Sequence, residues 1–168
     1  MQKLELQKAK IEHLPQIEAI IREAYVPILK VLSRPPGALN DTDKKIKESF
    51  SNHELFIITL SDRIIGTVSL KEQDEETCKM YHFSIAPPYQ RQGYGKWVVQ
   101  EVSRVLKRRN SKIKAIKLEI YEKTPHLKTF YEKQGYIQTG EKTVLGEKIF
   151  ILSGHIHGQE IEKVNSRI

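Results

Sequence analysis

The chain has 168 residues, 39% of them hydrophobic and 29% charged, with a formal net charge of +7. That is enough for one domain with its own core, in a composition that reads as globular and soluble. No apolar run approaches the ~20 residues needed to cross a bilayer, so no membrane partner is expected.

In chain order, Leu14, Ile17, Ile21, Ala24 and Ile28 keep a helical spacing, with Pro15 in the first turn. Pro27 should break or kink that helix. Ser33 to Asn40, carrying Pro35-Pro36-Gly37, reads as a loop, and Asp41 or Thr42 can cap a second helix running to about Phe50. The period then changes to that of strands: Leu55 to Leu60, a turn at Ser61-Asp62-Arg63, Ile64 to Leu70, an acidic turn, and Cys78 to Ile85. A helix from near Gly95 to about Arg109 should bury Val98, Val102, Val105 and Leu106. Ala115 to Tyr121 is a strand with Ile116, Leu118 and Ile120 on one face. Pro125 starts a short helix through Gln134, which Gly135 stops. Tyr136 to Gly140 and Lys148 to Ser153 read as a final hairpin. The expected fold is α/β: one mixed, mostly antiparallel sheet with helices on both faces, in a single domain over residues 1–154. Residues 155–168 read as a frayed tail. The unit from 78 to 121 should be a crossover with parallel strands at its ends.

The sharpest local signal is Gln90-Arg91-Gln92-Gly93-Tyr94-Gly95-Lys96, between an extended segment and a helix. Helix starts leave N–H groups without partners and carry about half a positive charge. Glycines let an anion approach those groups, and Arg91 and Lys96 add charge. A Walker-type loop would need glycine in place of Gln90, and a dinucleotide fingerprint would need one at Val98. The basic stretches decide little. Lys107-Arg108-Arg109 closes a helix, where cations offset the dipole, and Lys112, Lys114 and Lys117 have no aromatic residues between them. They read as a solvated edge, so no nucleic-acid partner is expected. A single cysteine, Cys78, fits a reducing cytoplasm, and the N-terminus has no long apolar stretch to suggest a secretory signal. His155 and His157 lack a third ligand nearby in sequence, so no metal site is expected.

Two motifs in order, the loop at 90–95 and the later run Phe130-Tyr131-Glu132-Lys133-Gln134-Gly135-Tyr136, resemble those of the GNAT (Gcn5-related N-acetyltransferase) superfamily. The resemblance implies an acetyltransferase that uses acetyl-CoA, releases CoA and acylates an amine acceptor. It implies cofactor contacts from Phe83, Ser84 and Ile85 on one strand, from Gln90, Arg91, Gln92, Gly93, Tyr94, Gly95 and Lys96 in the loop, and from Tyr131. His126 and Leu127 stand where relatives often carry Asn and a small residue, which leaves His126 to donate one hydrogen bond or to face solvent. By resemblance, Tyr131 hydrogen-bonds the departing thiolate, or works with a lowered pKa. His82 and Glu119 are the candidate bases. Strand alternation would put His82 and Ser84 on the face opposite Tyr81, Phe83 and Ile85. The acceptor pocket should come from the first two helices, their loop and the final hairpin, with Tyr25, Arg34 and Pro35-Pro36-Gly37 as candidates. Many relatives are dimers, which leaves a homodimer open. The alternatives to an enzyme are a CoA-binding regulatory module without turnover and, more weakly, a basic nucleic-acid-binding domain.

Overall fold

The computed structural model describes residues 1–40, 42–110 and 112–156. In chain order the elements are β1 (Leu4–Lys8), α1 (Leu14–Leu29), α2 (Thr42–Ser51), β2 (Leu55–Leu60), β3 (Arg63–Glu72), β4 (Thr77–Ile85), α3 (Tyr94–Arg109), β5 (Ala115–Tyr121), α4 (Pro125–Glu132), β6 (Ile137–Val144) and β7 (Glu147–His155). The strands form one sheet in the order β1-β2-β3-β4-β5-β7-β6. Every neighbouring pair is antiparallel except β4 and β5, the two ends of the α3 crossover.

Alternation along β2 sends its apolar side chains to both faces, so both must be covered. Leu55 and Ile57 meet Ile17 and Ile21 of α1 and Ile46 of α2. Phe56 and Ile58 belong to the larger core on the other side, with Val98, Val99, Val102 and Leu106 of α3 and Ile116, Leu118 and Ile120 of β5. Each such side chain contributes about 1.5–3 kcal/mol when taken fully out of water, which is why the 3.6-residue stripe on α3 settles against the sheet.

Several sequence expectations change. A strand precedes α1: Leu4 and Leu6 alternate with Glu5 and Gln7, and β1 pairs antiparallel with β2. Pro27 does not break α1, which continues to Leu29. It stands in the last turn, where little helix remains to be disrupted. The Ser33–Asn40 loop holds a short 3₁₀ turn at Gly37–Leu39. Thr42 is not a cap but the first helical residue of α2, its hydroxyl donating to the Ala38 carbonyl at 3.0 Å; Asp41 lies outside the described residues. The final hairpin is longer than expected, with Leu145 and Gly146 both at positive φ in its two-residue turn. β7 extends through His155, and residues 157–168 lie outside the described residues. At the end of α4, Gly135 takes φ +88, and the Tyr136 amide donates back to the Tyr131 carbonyl at 3.1 Å.

Candidate active site

The parallel pairing of β4 with β5 covers only Thr77–Ala115, Cys78–Ile116 and Lys79–Lys117. Beyond Lys79 the two strands part, so the edge of β4 from Met80 onward that faces β5 has no strand partner. β4 also carries an extra residue. Ser69 pairs with Tyr81 and Thr67 with Ser84, so two residues of β4 stand opposite one of β3. The bulge falls at His82, which takes φ +50, a left-handed conformation that a side chain adopts only under constraint from its surroundings.

This bulge overturns the simple alternation expected for the strand. Tyr81 and His82 lie on the same side, their rings 4.8 Å apart. Phe83 points the other way, toward Gly95. Tyr81 donates to the Glu54 carboxylate and pairs with Ser49 Oγ at 3.3 Å, and Ser49 in turn bonds Ser69 at 2.8 Å. Burial and the nearby Glu54 carboxylate push the Tyr81 phenol up to about 12. His82 Nδ1 is buried without a hydrogen-bond partner among the described residues, and the same holds for Ser84 Oγ. Burial, then Lys45 and Lys79, bring His82 down to about 4, so the imidazole is neutral at pH 7.

At one end of the parted strands lies the glycine loop. The first bond of α3 runs from Trp97 N to Gly93 O. The amides from Arg91 to Lys96 have no backbone acceptor among the described residues. Arg91 at φ +60 and Gly93 at φ +84 take left-handed backbone, the kind of conformation in which successive N–H groups can form an anion-binding nest. Gln90 and Gln92 brace this loop with their side chains: Gln90 Nε2 donates to Ile85 O at 2.8 Å, and Gln92 Nε2 to Pro88 O at 2.9 Å. Gly95 is small for a different reason: a Cβ there would stand 3.3 Å from the Phe130 ring and 3.9 Å from Phe83. The loop, the free edge of β4 and α4 therefore converge. Backbone donors on a helix start and an unpaired strand edge suit the diphosphate and the amide arm of coenzyme A.

At the other end is a cavity of about 530 Å³ walled by Tyr25, the Arg34–Asn40 loop, Lys45 and Glu48 of α2, Lys79–His82, Glu119–Tyr121 and the β6–β7 turn. The expected pocket elements thus come together, joined by bonds between distant residues. Glu147, buried at the start of β7, accepts from Ser33 N at 2.8 Å, Ser33 Oγ at 2.6 Å and Lys123 Nζ at 3.1 Å. Those donors bring its carboxyl down to about 2. Gly37 N donates to Tyr121 Oη at 3.1 Å, and Lys45 Nζ to Gly37 O. Sequence reasoning passed over Glu147 and Glu54; neither lies in a local motif, and only the fold shows their role.

Glu119 lies between Lys79 at 3.2 Å and Lys142 at 3.0 Å. Its pKa is lowered although burial opposes the shift, because the two ammonium groups outweigh it. Tyr131 is buried, with its ring 5.0 Å from Phe130 and 5.4 Å from Tyr136. Its hydroxyl has no hydrogen-bond partner among the described residues. Burial first, then Tyr136 and Tyr25, raise its pKa well above the ordinary phenol value, which speaks against the lowered-pKa alternative and leaves the hydrogen-bond one. Phe130 stands against the loop glycine, and Tyr131, next in sequence, meets its ring edge-on. His126 is exposed in the first turn of α4. Cys78 is buried and free, its thiol pushed up to about 12 mainly by burial, which leaves it no nucleophilic role. No described helix is long and apolar enough to cross a membrane. Among the described residues no three His, Cys, Asp or Glu gather to hold a metal; His157 lies outside them.

A family model described as "Acetyltransferase (GNAT) family" matches residues 16–136. The chain therefore belongs to the GNAT acetyltransferase family: it is an acyltransferase, and acetyl-CoA is its cofactor. It is 26% identical over 133 residues to the S-(2-succino)cysteine N-acetyltransferase of Bacillus subtilis (strain 168), spanning 76% of this chain and 80% of that one. It shares its fold with the PaiA N-acetyltransferase of Thermoplasma acidophilum, solved with coenzyme A (TM-score 0.72, 20% identity, 91% of this chain and 99% of that one). The fold is also that of the spermidine N-acetyltransferase of Vibrio cholerae, solved with CoA and spermine (TM-score 0.69, 15% identity, 91% and 95%).

Proposed function

We propose that the protein moves an acetyl group from acetyl-CoA directly to the primary amine of an acceptor lodged in the cavity. The observation that carries this reading is the parting of β4 from β5, with loop amides that have no backbone acceptor on one side and a walled cavity on the other. Acetyl-CoA supplies the activated acetyl group as a thioester. The amides of Arg91 to Lys96 carry the diphosphate charge, and the free edge of β4 at Phe83 to Ile85 aligns the amide arm as a strand partner would. Tyr131 keeps its proton at Oη, because burial holds the phenol neutral, and donates it as a hydrogen bond to the sulfur as that atom gains charge.

The acceptor must lose a proton before it attacks. Moving that proton from an alkylammonium near 10.4 to His82 at about 4 costs about 9 kcal/mol. Glu119 is held by two lysines. In this reading solvent takes the proton, and His82 Nδ1 accepts a hydrogen bond from the neutral amine. The substrates in the relatives' names, a cysteine derivative and a polyamine, are both amines and support an amine here. A reducing, cytoplasmic setting fits the free thiol of Cys78. The reading is tested by Tyr131→Phe. An enzyme of this kind loses about 100-fold in kcat while its affinity for CoA is unchanged. Equal rates in the two proteins would remove Tyr131 from the chemistry.

A further inference from the structure

The charges of the cavity wall are unevenly engaged. Its carboxylates are mostly occupied: Glu119 by Lys79 and Lys142, Glu147 by Ser33 and Lys123, and Glu54 by the Tyr81 hydroxyl. Glu48 lies exposed on α2, where it also borders a shallow outer groove with Lys44 and Lys47. The cations are less occupied. Among the described residues, Lys45, half-buried in the wall, has the Gly37 carbonyl for a partner and no carboxylate, and Arg34, exposed in the lining, pairs with no carboxylate. One Glu119 carboxylate faces two ammonium groups, and Lys45 and Lys79 add to the burial that lowers the pKa of His82. An ammonium-rich acceptor would enter this wall against like charge.

Resting on the acetyltransferase reading of this cavity, we propose that the acceptor is a small amine that also bears a carboxylate, of the amino-acid kind, and that Lys45 and Arg34 take that carboxylate. The volume suits such a molecule: about 530 Å³ lies within the usual range for small-ligand pockets. Lys45 is placed by its bond to Gly37, and Gly37 by Tyr121, so the cation is held in position rather than swinging in solvent. A carboxylate bound there also partly neutralises the two lysines that depress the basicity of His82.

The test measures CoA-thiol release with matched acceptors: aspartate and S-carboxymethylcysteine, their carboxamide counterparts, and spermidine. The acids are expected to exceed the amides by about 10-fold or more in kcat/KM. Lys45→Gln, and more so the double variant with Arg34→Gln, should remove that preference by raising KM for the acids, with kcat largely kept. Spermidine or the amides as the better acceptors, or an acid-to-amide ratio untouched by both variants, would overturn the proposal. Turnover of no amine at all would sink the acetyltransferase reading instead. Calorimetry of the same pairs on the CoA-bound protein then decides the proposal separately: acids binding in preference to amides, weakened by Lys45→Gln, sustain it, and equal binding overturns it.

Discussion

The two ends of the β4–β5 opening are built in different ways. The loop end is made of main chain: amides 91–96, positive φ at Arg91 and Gly93, and two glutamine side chains that tie the loop to carbonyls four and five residues away. The cavity end is made of side chains drawn from remote segments. Ser33 and Glu147 are 114 positions apart, and Gly37 and Tyr121 are 84 apart. A main-chain site recognises what is common to every molecule of a family's cofactor and tolerates changes of side chain. A side-chain site sets which acceptor fits and changes with single residues. The two ends should therefore respond separately to mutation.

The largest expected effect at the cavity end is that of Glu147→Ala. It leaves the Ser33 amide and hydroxyl and the Lys123 ammonium without their acceptor and frees the loop that walls the cavity. Acceptor KM should rise about tenfold or more while the Kd for CoA stays level; a parallel loss of CoA affinity would mean the two ends are coupled. The same carboxylate carries a pH signature. Its folded-state pKa is depressed to about 2, so its stabilising effect is present above the unfolded value near 4.5 and is lost as pH falls through that window. The Tm difference between the native protein and Glu147→Gln should be full at pH 6 and shrink steadily below pH 4.5; a constant difference down to pH 2.5 would contradict the bonding described.

A smaller effect is expected at the loop. Gly93→Ala has space for its methyl group, but φ +84 disfavours any side chain by about 1–2 kcal/mol. CoA binding should weaken about 5-fold to 10-fold, with acceptor KM unchanged. An unaltered Kd would show that the loop conformation does not matter to the cofactor. The smallest effect is an absence. Because His82 titrates at about 4, log kcat/KM should climb with the neutral amine fraction from pH 6 to 9 with no inflection near 6.5. An inflection there that His82→Asn abolishes would make His82 the base after all. Asparagine tolerates the left-handed backbone, so this variant tests the ring rather than the bulge.

What the sequence made legible follows the same division. The glycine loop, the helix stripe of Val98, Val102 and Leu106, and the alternation of Ile116, Leu118 and Ile120 are local patterns that stand where their spacing placed them, whereas Val105, expected in that stripe, is only half-buried and Val99 is buried instead. β1 was passed over because five residues with two leucines give a weak signal until β2 supplies the partner. The bulge at His82 was hidden because nothing in Tyr81-His82-Phe83-Ser84 marks an extra residue; it exists only in the pairing with β3. The same applies to Glu147, which looks like an ordinary hairpin acid until the fold brings Ser33 to it.

The central claim is that main-chain amides at the start of α3 hold the charged part of coenzyme A. Amide proton–nitrogen NMR spectra of the labelled protein, titrated with CoA and separately with pantetheine, test it most directly. Large downfield shifts at Arg91 to Lys96 with CoA, and none there with pantetheine, are the expected result. Shifts confined to other segments, or identical shifts with both ligands, would contradict it.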